Sequence, residues 1–513
     1  MQAESEKLLP LGDHWSRSEV DETAFRDARL GRRFGDLLCR LSDRMGGTIP
    51  LACQDWASTK AAYRFFSNPK VEEGDILAGH LDATKGRYAV SEGPILVLQD
   101  TTEFTYQRRN PHDIGFTKSV NSGRDKNGRL RHHAVCGILM HSSLVVTEEG
   151  LPLGLAAVKF WNRDKFKGTA QLKRRINPTR VPIEAKESVR WLDNLRQSIT
   201  LLGQPDRCVH VGDRESDIYE LYCLARDLGT HFVVRTVVDR LAGSGDHTVK
   251  SEMREAPSAG THSIEVRVES DTVERVTLDI QYKRIHVCPP IGKQKRYPAL
   301  DLTVIHASEV GAPPGRKPIL WKLVTDLEVN DLQEAIEKIR WYSMRWKIEV
   351  FHKILKSGCR AEDAKLRTAD RLANLVALFC IVSWRVLWMT MMARAAPDAD
   401  PAIASQRQKL QSSTASLPIA GTAEQSRARS SSISLNCPAL VAISRGRPTH
   451  RLETLSSGAA YGASSISKSA LNSRLMGNRK PHRRGTSWLR NPRIFSRSAR
   501  ERIYPRDPIF TIF

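Results

Sequence analysis

The sequence predicts an α/β protein in which a small helical region precedes a larger body of strands and helices. Residues 20 to 90 carry helical periodicity with few β-branched runs. From GPILVLQDTT onward, short apolar runs alternate with segments of helical period, and that alternation is typical of α/β folds. Between about residues 236 and 325 the apolar runs are mostly strand-like. We therefore expect a helical region, an α/β body and a β-rich insertion within that body.

The individual elements follow from these patterns in chain order. Two segments, ETAFRDARLGRRFGDLLCRLSDR and PLACQDWASTKAAYRFFSNPKV, form the helical region, and HSSLVVTEEGLPLGLAAVKFW predicts a hairpin that turns around Glu149 and Gly150. A helix is expected from Glu184 to Leu202, and a strand, a helix and a strand follow in DRCVHVGDRESDIYELYCLARDLGTHFVVRT. The helical region has a basic surface made of Arg29, Arg32, Arg33, Lys60 and Arg64.

The segment YSMRWKIEVFHKILKSG predicts an amphipathic helix over residues 342 to 358. Its core face consists of Trp341, Met344, Ile348, Phe351 and Leu355. A second stripe consists of Tyr342, Arg345, Glu349, Lys353 and Lys356. One carboxylate among basic side chains fits either a functional site or a solvated face with salt bridges such as Glu349 to Lys353, each worth a few tenths of a kcal/mol.

The apolar run from Leu372 to Met392 predicts a buried core helix. It is long enough to cross a bilayer, but Asn374 and Arg385 interrupt it, and a charge near the middle of a bilayer is costly. The N-terminus has no basic segment followed by an apolar one, so we expect no secretory signal. Nine cysteines without a CxxC pair or a zinc-type spacing fit a reducing cytoplasm.

The chain has a net charge of +22, and most of the excess lies near its C-terminus. Residues 401 to 513 contain 19 Lys and Arg against 4 Asp and Glu, so +15 of the total belongs to this segment. A basic protein favours a polyanionic partner, and nucleic acid is the leading candidate. The tail from residue 396 is rich in Ser and Arg and lacks long apolar periodic segments, so we expect it to be largely disordered.

Three acidic residues are candidates for a metal site. Two strand-like runs end in a carboxylate, at Asp100 and Asp213, and polar groups at the carboxyl ends of neighbouring strands converge on a crevice. If Glu349 joins them, three repelling carboxylates need a cation, and hard oxygen ligands select Mg²⁺ or Mn²⁺. Each aspartate also has a structural interpretation, Asp100 as a turn or cap residue and Asp213 as the cap of a helix near Ser216.

Because of these residues, positions 15 to 395 resemble a DDE transposase of the insertion-sequence-four type. This type is similar to the bacterial cut-and-paste transposases of composite resistance transposons. The family signature Y-x2-R-x3-E-x6-K is matched by Tyr342, Arg345, Glu349 and Lys356, with Trp346 directly after the arginine. The D-T-T and D-R-E contexts of the family's catalytic aspartates are matched at Asp100 and Asp213.

The same resemblance implies which residues contact DNA. WASTKAAYRFFSNPKV resembles the family's N-terminal DNA-binding domain, and its candidate DNA contacts are Lys60, Tyr63 and Arg64. FVVRT resembles a strand whose Arg235 would contact DNA. In the glutamate helix, the implied contacts to the DNA backbone come from Tyr342, Arg345, Lys353 and Lys356. Trp346 is a candidate for stacking on an extruded base, and core packing is the alternative.

The resemblance also implies a fold and a reaction. The fold would be an RNase-H-like catalytic domain at 91–395 with a β-rich insertion at about 236–325, preceded by a DNA-binding domain at 1–90. Asp100, Asp213 and Glu349 would bind Mg²⁺ and support strand cleavage and strand transfer at terminal inverted repeats, through a DNA hairpin intermediate. The partners would be double-stranded DNA and a second copy of the chain on paired ends, in the bacterial cytoplasm with the nucleoid.

Other side chains and motifs favour no further chemistry. The sequence has no GxxxxGK[ST] loop, so no nucleotide cofactor is expected. His132, His133 and His352 are expected at the surface or facing DNA rather than as metal ligands.

The segment after residue 396 departs from the family, whose relatives continue with an ordered helical region that contributes to dimerisation. Its abrupt loss of periodicity is typical of out-of-frame translation, so we expect a frameshift, and the alternative is an intact basic DNA-binding tail. A frameshifted copy would be a defective transposase that only binds DNA and inhibits active copies, which is the alternative function.

Overall fold

The N-terminal helical region contains four α-helices in the computed structural model, which describes residues 14–163, 181–267, 273–395 and 511–512. They are α1 (Ala28–Asp43), α2 (Ile49–Cys53), α3 (Trp56–Phe66) and α4 (Glu73–Ala89). Aspartates begin two of them, because Asp27 accepts the Arg29 N–H at 2.8 Å and Asp55 accepts the Ser58 N–H at 2.7 Å. Stacked rings of Phe34 from α1 and Phe65 from α3 lie in the core between them.

A mixed sheet forms the body of the protein. Its first six strands are β1 (Ile95–Thr105), β2 (Phe116–Arg124), β3 (Leu130–Thr147), β4 (Pro152–Trp161), β5 (Cys208–Gly212) and β6 (His231–Arg235). β4 pairs with β3 and β3 with β1, both antiparallel, whereas β1, β5 and β6 run parallel. The predicted hairpin around Gly150 is the β3–β4 connection, where Gly150 adopts φ +87.

Two helices accompany the parallel strands. α5 (Val189–Leu202) precedes β5, and α6 (Tyr219–Leu228) connects β5 to β6. α4 and α5 pack on β4, and the core there includes Tyr88, Val97 and Leu202. The α/β alternation predicted for this part of the chain is confirmed.

The β-rich segment extends the same sheet. It contains β7 (Leu241–Ala242), β8 (His247–Thr248), α7 (Val249–Glu255), β9 (Gly260–Arg267), β10 (Val273–Val287), β11 (Leu300–Glu309) and β12 (Leu320–Thr325). β12 pairs antiparallel with β6 and so joins this segment to the body. A short strand, β13 (Thr511–Ile512), pairs with β9. The predictions of disorder and of a frameshift in the rest of the tail from residue 396 lie outside the described residues.

The helix predicted over residues 342 to 358 is two helices and a turn, so that prediction is wrong in its continuity. α8 (Leu332–Ser343) ends before Arg345, and α9 (Trp346–Lys353) follows after a tight turn in which the Arg345 N–H donates to the Tyr342 carbonyl at 3.0 Å. Ile354–Gly358 forms a π-helical turn, closed by the Cys359 N–H on the Ile354 carbonyl at 2.8 Å. The predicted core face holds, because Trp341, Ile348, Phe351 and Leu355 are buried and Met344 is half-buried.

The last long helix, α10 (Ala369–Ala395), is a core helix, as predicted. By length and composition it could cross a membrane, but 83% of its most apolar window is buried inside the protein. Asn374 donates to the Val71 carbonyl at 3.0 Å, and the Arg385 guanidinium lies 4.4 Å from the centre of the Trp388 ring. The polar interruptions are therefore accommodated by protein contacts.

A buried ionic network fastens the helical region to the sheet. His80 on α4 donates through Nδ1 to Glu19 at 2.5 Å, and its Nε2 accepts the Leu155 N–H of β4 at 3.1 Å. Arg87 also pairs with Glu19, at 2.6 Å, and donates to the Leu153 carbonyl. Burial opposes ionisation of Glu19, but the hydrogen bond from His80 and the charge of Arg87 outweigh it and lower the pKa of Glu19 to about 2.

Candidate active site

Asp100 lies where the parallel part of the sheet ends. The parallel pairing of β1 with β5 stops at Leu98 and Val211, but β1 continues, and Asp100 pairs with Ser142 of β3. Asp100 is thus inside a strand, and its interpretation as a turn or cap residue is wrong. Its side chain is 20% exposed, and its Oδ1 accepts the Thr101 N–H at 2.7 Å.

Asp213 follows β5 directly and combines two roles. Its side chain accepts the Glu215 N–H at 2.9 Å and so caps the short 3₁₀ turn Arg214–Ser216. Its carboxylate is also close enough to raise the pKa of Asp100. Asp213 therefore caps a 3₁₀ turn that ends at Ser216, not a helix that begins there, and its charge acts on Asp100.

Glu349 reaches the same cluster from α9, and Arg345 links the acids. Arg345 forms an ion pair with Glu349, one helical turn away, and its Nη1 lies 3.7 Å from Asp100 Oδ2. The predicted salt bridge from Glu349 to Lys353 is not among the ion pairs of the described residues, where Glu349 pairs with Arg345 instead. The Arg345 guanidinium therefore faces both Asp100 and Glu349.

The electrostatics of Asp100 reflect this crowding. Burial raises the pKa of its carboxyl to about 7, Arg345 opposes the rise, and the negative charges of Asp213 and Glu349 add to it. Three carboxylates that repel one another are hard oxygen donors of the kind that bind Mg²⁺ or Mn²⁺. The chemistry of this donor set therefore suits a divalent cation, but the ligand atoms of the three acids are not all within 4.8 Å of one another.

A different cluster has the tightest spacing of ligand atoms among the residues that the structure describes. The ligand atoms of His14, Cys39 and Asp43 lie within 4.8 Å of one another. His14 precedes α1 in the chain, and Cys39 and Asp43 belong to its last turns. His14 Nε2 lies 3.1 Å from Asp43, and its Nδ1 lies 2.7 Å from the Ser16 hydroxyl. These bonds satisfy both ring nitrogens, and His14 also caps the 3₁₀ turn that begins at Trp15.

His352 belongs to the site, and the prediction that it lies at the surface is wrong. It is buried, its Nε2 lies 2.9 Å from the Ser142 hydroxyl, and its Nδ1 lies 4.0 Å from Asp100 Oδ2. Burial, helped by the charges of Lys356 and Arg345, lowers the pKa of His352 to about 3, so the imidazole is neutral. Its position three residues after Glu349 is the sequence signal for this proximity. His132 and His133 are exposed, as predicted.

A second set of polar residues supports β1 from the other side, and sequence reasoning missed it. Arg190 on α5 donates through Nε to the Thr101 hydroxyl at 3.0 Å and pairs with Glu215. The Thr101 hydroxyl also lies 2.9 Å from His141 Nδ1. In the sequence, only Thr101 in the QDTTE segment points to these contacts, because α5 carries no recognisable motif.

The predicted DNA contacts around Glu349 differ in exposure. Tyr342 is buried and packs edge to face on Trp321, with ring centres 5.4 Å apart. Trp346 is half-buried, and Lys347 Nζ lies 5.0 Å from its ring centre. Lys353 is exposed.

Lys356 and Arg235 lie in different surroundings. Lys356 is half-buried within the π-helical turn, and its Nζ lies 5.9 Å from the centre of the Phe104 ring. The π turn takes Lys356 off the regular helical stripe predicted with Glu349. Arg235 ends β6, and its Nη2 donates to the Leu320 carbonyl of β12 at 3.0 Å.

The remaining candidates lie on α3, far along the chain from the acids. Lys60 and Arg64 are exposed, and Tyr63 is half-buried. Trp56, at the start of α3, is 78% exposed and shares their face at a spacing of four residues. The helix thus presents an aromatic ring and two positive charges to solvent. Sequence reasoning missed Trp56, although its spacing of four residues from Lys60, and of Lys60 from Arg64, predicts that all three share one helix face.

Comparison with known families bears on this helical region. Residues 13–71 match the family described as transposase DNA-binding. This segment is similar to a transposase DNA-binding domain. The match spans α1, α2 and α3, including Lys60, Tyr63 and Arg64. It supports DNA as a partner of this chain and a transposase DNA-binding domain at its N-terminal end.

Proposed function

We propose that the chain is a DNA transposase that binds the terminal inverted repeats of its element and catalyses Mg²⁺-dependent strand cleavage and strand transfer. The observation that carries this proposal is the convergence of Asp100, Asp213 and Glu349 around one guanidinium. The transposase-like DNA-binding segment in the same chain supports the choice of DNA as the substrate.

The fold that we propose for the body is RNase-H-like. Three antiparallel strands followed by two parallel ones, in the spatial order β4-β3-β1-β5-β6, support this assignment. The acids lie at the carboxyl end of the parallel pair, where open α/β sheets bind ligands. We assign residues 1–90 to DNA binding and 91–395 to catalysis, with an insertion at about 236–325, and 396–513 to a tail.

The proposed roles follow from the position of each side chain. Asp100, Asp213 and Glu349 would hold Mg²⁺, which when bound activates an attacking oxygen and stabilises the leaving one in phosphodiester chemistry. Arg345 already faces the acids, so it can hold a substrate phosphate beside them by charge-assisted hydrogen bonds. His352 is neutral and contacts Ser142, so it orients β3 and α9 around Asp100.

The outer residues would hold the DNA. Lys353 and Lys356 contribute charge along α9 and the turn that follows it, and Arg235 contributes at the end of β6. Tyr342 would act indirectly, because it is buried against Trp321. The half-buried ring of Trp346 leaves one part for packing and another for stacking on an extruded base in the cut-and-paste reaction.

The test is a nicking assay on a supercoiled plasmid that carries the element with its native flanks. We expect Asp100→Asn, Asp213→Asn and Glu349→Gln each to reduce Mg²⁺-dependent nicking at least 100-fold while mobility-shift binding of the element ends persists. Asp82→Asn is the matched control, because Asp82 is exposed on α4. Nicking that survives in any of the three variants would make the catalytic assignment wrong.

The same assay addresses the alternative, a defective copy that only binds DNA and inhibits active ones. Such a copy would bind element ends as a wild-type protein but would not nick them at any Mg²⁺ or Mn²⁺ concentration. A homodimer on paired ends, which the proposed reaction requires, would appear as a slower complex in the same gel.

A further inference from the structure

A two-stranded ribbon extends from the sheet beyond the strands that flank Asp100. We define the ribbon as residues 118–134, the outer parts of β2 and β3 with their turn. β3 pairs with β1 only up to Gly137 and Thr105, and from Val135 to Leu130 its partner is β2. Among the described strands, the ribbon therefore pairs only with itself.

The ribbon has no apolar face buried against the protein. Every residue from 119 to 133 is exposed except Asp125, which is half-buried. Isolated two-stranded hairpins are marginally stable in water. This one is held by its turn, where Asp125 accepts the Asn127 and Arg129 N–H groups at 2.9 and 2.8 Å and Gly128 adopts φ +73. A strand pair that stabilises no core is available to contact something else.

The charges of the ribbon indicate what that contact is. It contains the five basic residues Lys118, Arg124, Lys126, Arg129 and Arg131 and one acidic residue, Asp125, for a net charge of +4. Lys118 pairs with Glu103, and Arg124 donates to the Gly128 carbonyl at 2.8 Å. The side chains of Lys126, Arg129 and Arg131 have no hydrogen bond or ion pair within the described ranges. Three unneutralised cations at one tip complement a polyanion.

The position of the ribbon relates it to the acidic cluster. Ser142 of β3 pairs with Asp100, and Leu130 of β3 lies at the tip of the ribbon. Because β1 and β3 are antiparallel, the ribbon extends from Asp100 in the direction in which β1 continues. At about 3.3 Å per residue this stretch spans at most about 40 Å. One turn of B-DNA is about 34 to 36 Å long, and its major groove admits a two-stranded ribbon.

We propose that the ribbon is a DNA-contacting arm, which binds the phosphate backbone of the element-end duplex about one helical turn from the phosphate that the acids cleave. The inference rests on the proposed function, because it takes the duplex at the acidic cluster as given. Lys126, Arg129 and Arg131 make the contacts, and they hold the duplex in line with the site rather than react with it.

The test is the triple variant Lys126→Gln, Arg129→Gln and Arg131→Gln, in titrations of a duplex carrying the element end at several salt concentrations. The slope of log Kobs against log[salt] should become less negative by about 2 to 3, at about 0.9 per phosphate contact. Affinity near 0.1 M salt should fall at least tenfold. In a hydroxyl-radical footprint, protection about one helical turn from the nick should disappear.

The control removes the same charge elsewhere. Lys250, Arg275 and Lys295 are exposed and lie outside residues 1–90, and their triple Gln variant should leave the slope within 1 of the wild type and the footprint unchanged. The single variant Arg131→Gln, with an expected slope change of about 0.9, serves if the triple variant does not fold.

The outcomes separate the two proposals. If wild-type protein binds and nicks the element but the ribbon variant keeps the wild-type slope and footprint, the arm is wrong and the transposase proposal stands. If wild-type protein neither binds nor nicks the element, the proposed function itself is wrong.

Discussion

Replacing Asp100 by asparagine should make the protein more stable in the presence of EDTA at pH 8. The substitution keeps the shape of the side chain and removes a charge that is mostly withdrawn from water. Because the folded pKa is raised to about 7 from 3.8, the ionised carboxyl destabilises the folded state at pH values above both. The penalty is absent below about pH 4, where both states are protonated, and it grows as the pH rises towards 7.

The size of the gain follows from the same pKa. A change from 3.8 to about 7 corresponds to about 4 kcal/mol in the free energy of unfolding, at about 1.4 kcal/mol per tenfold change in acidity. The side chain is 20% exposed and solvent screens part of this, so we expect about 2 kcal/mol at pH 8. With an unfolding entropy of about 2 cal/mol/K per residue, the melting temperature should rise by roughly 2 to 3 °C.

The measurement is the melting temperature of wild type, Asp100→Asn and the control Asp82→Asn, at pH 4 and pH 8, with EDTA or with Mg²⁺. Mg²⁺ at tenfold above its dissociation constant should stabilise the wild type by about 1.4 kcal/mol and the Asp100 variant by less. A melting temperature that is unchanged or lower for Asp100→Asn at pH 8 in EDTA would refute the burial penalty. An equal Mg²⁺ response in all three proteins would refute metal binding by Asp100.

Two further predictions concern buried charges outside the site. Lys347 is buried beside Met391, and burial together with the charge of Arg394 lowers its pKa to about 8 from 10.5, so Lys347→Met should stabilise the protein by about 2 kcal/mol at pH 7. Melting curves should show this gain shrinking between pH 8 and pH 10.5, and a constant gain would assign it to packing alone. Glu19→Gln should cost about 3 kcal/mol at pH 7, because the lowered pKa of Glu19 stabilises the fold above pH 4.5 and this contribution is lost as the pH falls towards 2. Urea unfolding at pH 7 and pH 3 measures the difference, and equal losses at both pH values would contradict the ionic explanation.

The sequence was sufficient to predict that Asp100 and Asp213 approach each other, but not the backbone around Asp100. Asp100 and Asp213 follow apolar runs, and the carboxyl ends of parallel strands meet, so their convergence was predictable. The sequence DTTEFT after Gln99 looks like a turn because it is polar and short. Pairing with β3 keeps it in a strand, and that pairing depends on residues about 40 positions away.

The break between α8 and α9 and the burial of His352 depend on tertiary contacts. Neither Gly nor Pro marks residues 343 to 346, so local sequence favours one continuous helix. His352 is followed by Lys353 in a segment that also contains Lys347 and Lys356, so local sequence suggests a solvated side chain, but its partner Ser142 lies 210 positions earlier. The contact of Arg190 on α5 with Thr101 also joins residues that are 89 positions apart, so local sequence does not predict it. Helical periodicity identifies faces, and it does not identify which distant element covers them.

The network of Glu19, His80 and Arg87 would determine where the proposed transposase cuts its DNA. His80 and Arg87 bond to the backbone of β4 at Leu155 and Leu153, so they hold α4 directly against the sheet. Under the proposed function, a duplex bound by α3 would be held at a fixed distance from the acids, so the protein would measure the interval between the recognised bases and the cleaved bond. Lengthening the recognised end by a single base pair would rotate the target phosphate out of reach by about 34 to 36°. Selection would then act on the spacing within the DNA end as strongly as on its sequence.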